Sequence, residues 1–132
     1  MIRRIKFRAK AIPQNEWIYG HYCFASKAFG LPFDTPTIQQ FDTTEDRTLS
    51  FRQINPSTIG QYTGVLDHNG YEIYEGDILC EIETNRRVTV VYEAPMFCYA
   101  DNVFGYKFLN LPENFVIIGN IYDNPELLAK PK

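Results

Sequence analysis

Residues 2–10 alternate. Ile5, Phe7 and Ala9 fall on one side and Arg4, Lys6, Arg8 and Lys10 on the other, the period-two pattern of a half-buried strand. Ile12-Pro13-Gln14-Asn15 predicts a turn. Residues 17–24 predict a second strand, hairpin-paired with the first and apolar enough on both faces to be buried on both. Gly30, Pro32 and Pro36 break any long element between 26 and 48, where residues 37–41 predict one short strand. The stretch 49–54 alternates again. Asn55-Pro56 is an N-cap followed by Pro at the first helical position, and Gly60 limits the helix to one turn. Asn69-Gly70 between apolar stretches predicts a hairpin with positive φ at both residues. Strands follow at 78–82 and 88–92 around the polar tip 84–87. Further strands are predicted at 97–99 and 106–109, and 115–122 is expected to be the most buried. Asn124-Pro125-Glu126 starts a short C-terminal helix.

Composition strengthens the β reading. The 132 residues are 45% hydrophobic and include ten Phe, nine Tyr and one Trp, and aromatics favour strands. The net charge of −3 excludes a globally basic, phosphate-neutralising protein but leaves room for a local basic patch. Nothing in the sequence approaches a run of 18 apolar residues, so no membrane span is expected. The charged start lacks the apolar stretch of a signal peptide, which predicts a cytoplasmic protein. Cys23, Cys80 and Cys98 are odd in number and widely spaced, poor material for a disulfide framework.

Five blocks of sequence carry a family resemblance. They are Ile5 to Ala9, Trp17 to Gly20, Ile59 to Asp67 with Asn69-Gly70, Glu72 to Ile78, and Ile118 to Tyr122 with Asn124-Pro125-Glu126-Leu127-Leu128. In this order the chain resembles the YopX family of phage and prophage proteins over nearly its whole length, apart from about 24–48. The resemblance implies a mainly β fold with a small, partly open SH3-like barrel in the C-terminal part. On that basis 1–55 is expected to be an N-terminal β-hairpin module with a variable loop at about 24–48, and 56–132 the small barrel. The resemblance implies no activity and transfers no catalytic residue. Gly60, Gly64, Asn69, Gly70, Gly76, Asp77, Asn124 and Pro125 are instead explained as fold-determining. The glycines supply positive φ in hairpins, Asp77 accepts backbone N–H groups, and Tyr62 and Tyr74 pair across the Asn69-Gly70 turn.

Four constellations bear on function. Arg4, Lys6, Arg8 and Lys10, spaced about 6.8 Å apart along one strand face, could track a phosphate backbone; the plainer reading is a solvated edge strand whose cations discourage edge pairing. Arg86-Arg87 adds a second positive spot near Glu81 and Glu83. Trp17, Tyr19, Tyr62 and Tyr74 could offer a stacking surface for bases, or fill the core of a small β domain. His21-x-Cys23 with Cys80, Cys98 or His68 lacks the usual spacings of structural zinc, so no metal and no cofactor is expected. Asp67/His68 and Glu75/Asp77 supply acid and base types, but no nucleophile has an evident partner and no phosphate-binding glycine loop occurs. The sequence therefore predicts a non-enzymatic phage accessory protein, a β-rich binding or assembly module that self-associates and engages phage or host proteins. The alternative is nucleic-acid binding through the basic strand and exposed aromatics.

Overall fold

The structure is a computed structural model and describes residues 4–25, 35–40, 51–101, 105–108 and 114–128. The chain divides into two compact units, Met1–Gln61 and Tyr62–Lys132. The division falls inside a strand, between Gln61 and Tyr62.

In the first unit β1 (Phe7–Lys10), β2 (Trp17–Ala25), β3 (Thr35–Gln40) and β4 (Phe51–Gln53) form an antiparallel sheet in the order β4-β3-β2-β1. The hairpin register pairs Lys10 with Trp17 and Arg8 with Tyr19. The start of β5 (Gly60–Leu66) pairs with the other side of β1, at Phe7↔Gln61 and Arg8↔Gly60. β1 is therefore an interior strand. The edge-strand reading of the basic segment is corrected: a strand bonded on both sides has no open edge for its cations to guard.

One face of this sheet is the core. Ala9, Ala11, Ile18, Ile38 and Ile54 are buried there, with Phe7, Tyr22 and Ile59 packed against them. The 3-10 turn Pro56–Thr58 starts at Asn55, whose Oδ1 accepts from Ser57 N (3.1 Å) and Ser57 Oγ (2.8 Å). Thr58 fastens the turn to β1 by accepting the Lys10 N–H at 2.9 Å. Gly20 lies where an added Cβ would collide with the Gln39 carbonyl of β3. β2 is not buried along both sides as expected: Phe24 is exposed at the end of the core face, and Tyr19 and His21 are exposed on the opposite face, where Arg8, Thr35 and Thr37 are buried.

In the second unit β7 (Asp77–Glu81), β8 (Arg87–Glu93), β9 (Met96–Asp101), β10 (Gly105–Phe108) and β11 (Phe115–Asn120) form an antiparallel sheet in the order β10-β9-β8-β7-β11. The order leaves two edges, so among the described residues the fold is an open, all-β arrangement and not a closed barrel. Ile73 of β6 (Glu72–Tyr74), Leu79, Val88, Val90 and Phe115 make its core, flanked by Val65, Tyr99 and Ile117. β11 is not the most buried strand. It is an edge strand in which only Phe115 is buried, and the run Asp77-Ile78-Leu79 of β7 takes that place. A continuous apolar run reads as two-sided burial, but strand order decides whether both sides are covered.

The β5–β6 hairpin turns at Asn69-Gly70 by a different geometry from the one expected. Gly70 has φ +86° and Asn69 does not have positive φ. Gly70 N donates to Asp67 O (3.0 Å) and Asp67 N to Tyr71 O (2.8 Å). This is a three-residue loop in which only the last residue needs the left-handed region, and Gly takes it. Gly64 and Gly76 also have positive φ, but Gly60 does not; it lies in regular β pairing with Arg8.

Candidate functional site

Strand alternation puts Arg8 and Lys10 of β1 on the same face as Trp17, Tyr19 and His21 of β2. This is the sheet face opposite the Ala9–Ile18–Ile38 core. The Arg8 guanidinium lies 4.7 Å from the centre of the Trp17 ring and the Lys10 ammonium 5.4 Å from it, both within cation–π range. Arg8 is only 6% exposed. Trp17 and Lys10 are half-buried, Tyr19 is 44% exposed and His21 is exposed. Among the described residues of β1 to β4 that share this face, none is acidic. The strand positions thus set two cations beside the Trp17 ring.

The other expected site residues are placed as follows. Arg4 is exposed. Arg86 is bound to Glu81 at 3.0 Å and lies over the Tyr99 ring, and Arg87 donates to the Leu127 carbonyl at 2.8 Å. Both therefore make contacts within their own unit. Tyr62 and Tyr74 are paired in register and buried, their ring centres 5.7 Å apart. Two of the four rings proposed for base stacking thus fill the interior, as large side chains in small β domains do.

The acid–base candidates have structural partners. Asp67 Oδ1 accepts from Asn69 N and Tyr71 N, each at 2.9 Å, and Oδ2 from Ile117 N at 3.0 Å. Asp77, 1% exposed, accepts Tyr74 N at 2.8 Å. His68 is exposed, and its backbone N–H donates to Phe115 O. Asn124 places its side chain where a Cβ on Gly119 would stand and accepts Asn120 N at 3.3 Å. Pro125 opens the 3-10 turn Pro125–Leu128 with Glu126 in its first turn. Cys23 Sγ sits 3.4 Å from Thr37 Oγ1. Among the described residues no three His, Cys, Asp or Glu side chains converge as a metal site would require.

Sequence reasoning treated the cations, the aromatics and His21 as three separate candidates. The structure brings Arg8, Lys10, Trp17, Tyr19 and His21 onto one face. The signal was available: a turn over Ile12 to Asn15 fixes the Lys10↔Trp17 register, and alternation does the rest.

An open two-sheet fold with cations and aromatic rings side by side on one sheet face defines a small all-β protein. A profile of the YopX protein family matches residues 6–129, and the chain belongs to that family. Among solved structures it is similar to the crystal structure of protein EF1440 from Enterococcus faecalis, with a TM-score of 0.58 and 25% sequence identity over 97% of this chain and 100% of that one. No curated protein matches it. Among the described residues no helix is long and apolar enough to cross a membrane.

Proposed function

We propose that the protein is a non-enzymatic accessory protein of a phage or prophage, a binding and assembly module that works as a homo-oligomer in the bacterial cytoplasm. The observation that carries this reading is an aromatic row on the core-side face of the first sheet. Phe7 tilts against Tyr22 with ring centres 5.9 Å apart, and Tyr22 meets Phe24 edge-on at 5.5 Å. The row runs from half-buried Phe7 to Phe24, which is 58% exposed. Single exposed apolar residues are ordinary, but a ring stacked on the end of a packed row extends the core to the surface. A second copy of the chain supplies a matching row by symmetry. Family membership supports the phage setting, and the engagement of the Asp67 and Asp77 carboxylates by backbone amides supports a role without acid–base catalysis.

Light scattering over a range of concentrations tests it. The expected result is a stable multiple of the monomer mass that falls to the monomer in Phe24→Ser. A monomer at every concentration overturns the assembly reading.

A further inference from the structure

We infer that Asn69 is a modification site: its side-chain amide is converted without an enzyme to an aspartyl or isoaspartyl residue, at a rate set by the turn that Asp67 holds. The inference uses no residue of the aromatic row ending at Phe24 and stands independently of self-association. Two observations carry it.

The first is access. Asn69 and Gly70 are adjacent, and both are exposed. The attacking atom in this chemistry is the backbone nitrogen of the residue after the asparagine, and glycine puts no side chain beside it. A Cβ built on Gly70 would meet nothing within 4 Å, so the surroundings are open as well. Among the described residues the bonds that hold the turn run through backbone groups and the Asp67 carboxylate, and none of them uses the Asn69 side chain. The amide therefore breaks no bond of the turn when it reacts.

The reaction needs only water. The Gly70 nitrogen gives its proton to hydroxide or water and bonds to the Asn69 side-chain carbonyl carbon. The side-chain nitrogen takes a proton from water and leaves as ammonia, and a five-membered succinimide remains. Water opens that ring at one of its two carbonyls. Cleavage at the side-chain carbonyl gives aspartate with the original main chain. Cleavage at the main-chain carbonyl gives isoaspartate, whose main chain runs through the side-chain methylene. One water enters, one ammonia leaves, and nothing is oxidised or reduced.

The second observation is the gate. The nitrogen that must attack donates to Asp67 O at 3.0 Å. Its neighbours are held too, with Asn69 N and Tyr71 N each 2.9 Å from Asp67 Oδ1. Attack proceeds from the opened turn, so the rate is the intrinsic rate multiplied by the fraction of time the turn is open.

The product changes what the turn can do. Either form places a new carboxylate two residues from that of Asp67, and like charges disfavour each other. The isoaspartyl form also adds a carbon to the main chain of a loop whose length fixes its geometry. Asp67 and His68 bond Ile117 N and Phe115 O, so conversion at Asn69 loosens the cover on the outer edge of β11.

The test is ageing of the full chain at mildly alkaline pH, followed by peptide mapping with mass spectrometry. A synthetic peptide of residues 66–71 serves as the open reference. Asn69 is expected to convert about tenfold more slowly in the chain than in the peptide, and protection of the Gly70 amide from hydrogen exchange is expected to match that slowing. Asp67→Asn is expected to bring the rate to within about twofold of the peptide, with fragment ions separating residue 69 from residue 67. Exchange at Ile117 is expected to speed up in the aged parent and to stay unchanged in aged Asn69→Ser. No conversion at Asn69 over a hundred half-lives of the peptide overturns the inference. Conversion as fast as in the peptide overturns it as well, because the turn then sets no rate. A folded Asp67→Asn variant that converts no faster than the parent does the same, and if that variant does not fold, a mismatch between Gly70 protection and the slowing decides against the gate.

Discussion

The Asp67 carboxylate holds the backbone N–H of Ile117 at 3.0 Å, across 50 positions of sequence. The same side chain shapes its own turn through Asn69 N and Tyr71 N, and the next residue, His68, donates its N–H to Phe115 O at 2.9 Å. Phe115 O and Ile117 N lie on the side of β11 away from β7. The β5–β6 turn therefore covers part of the outer edge of β11 and satisfies two of the ladder groups that an edge strand presents.

Asp67→Asn is expected to destabilise the protein by about 1–3 kcal/mol. The amide keeps an acceptor for the turn but places an N–H donor or a misaligned oxygen against Ile117 N, leaving a buried donor unsatisfied. Urea denaturation measures the loss, and hydrogen exchange localises it as faster exchange at Ile117. His68→Ala keeps the backbone bond and is expected to stay within about 0.5 kcal/mol of the parent. An Asp67→Asn variant of parental stability removes the edge-closing role.

Trp17 is held between cations, and that arrangement has a measurable coupling. A double-mutant cycle with Lys10→Gln and Trp17→Leu is expected to give an interaction of about 0.5–1 kcal/mol in urea melts, the range for a partly exposed cation–π contact. Additive effects show that the 5.4 Å approach contributes nothing.

Gly20 provides the sharpest steric prediction. It sits between Phe7 of β1 and Gln40 of β3 in register, and an added Cβ meets the Gln39 backbone carbonyl, which cannot rotate away as a side chain would. Gly20→Ala is expected to cost about 1–3 kcal/mol, the range of overpacking in a close-packed interior. Thermal melts of the variant check it, and an unchanged Tm means β2 and β3 separate without penalty.

How far the sequence was legible depends on which physical signal each feature leaves. Local chemistry was readable: the Asn55-Pro56 cap, the Gly70 turn, the β1–β2 hairpin and the Tyr62–Tyr74 pairing all depend on residues close together in the chain. Strand order was not. Nothing in the pattern of residues 2–10 says that β5 returns to cover the far side of β1, so the basic strand read as an edge. The Val-Ile-Ile run of β11 read as central for the opposite reason: apolar content reports what a strand can bury, and only the sheet order says what it does bury. Asp67 was legible as a turn residue but not as the clamp on β11, because its partner is 50 residues away and is a backbone amide, which carries no side-chain signature. The candidate face was legible in pieces. Its cations and aromatics were visible separately, and they become one surface only through the hairpin register.

Tyr62 and Tyr74 test whether a pair visible in the sequence carries energy beyond its burial. They are register partners on β5 and β6, both buried, with rings tilted at 39° and centres 5.7 Å apart. The pairing lies just before the register shift between Tyr62 and Leu66, where Thr63 Oγ1 donates to Ile73 O at 2.9 Å and Gly64 takes positive φ. The tyrosine pair therefore marks the last regular rung before the strand bulges. Replacing each by Leu alone and both together in a cycle is expected to give a coupling of about 0.5–1.5 kcal/mol, the range for favourably tilted aromatic pairs beyond area burial. The single Leu variants are each expected to be destabilised as well, since they lose the ring contact. Coupling near zero with both singles destabilised assigns the pair to simple volume filling. Coupling in the expected range shows that the ring geometry itself contributes to β5–β6 pairing.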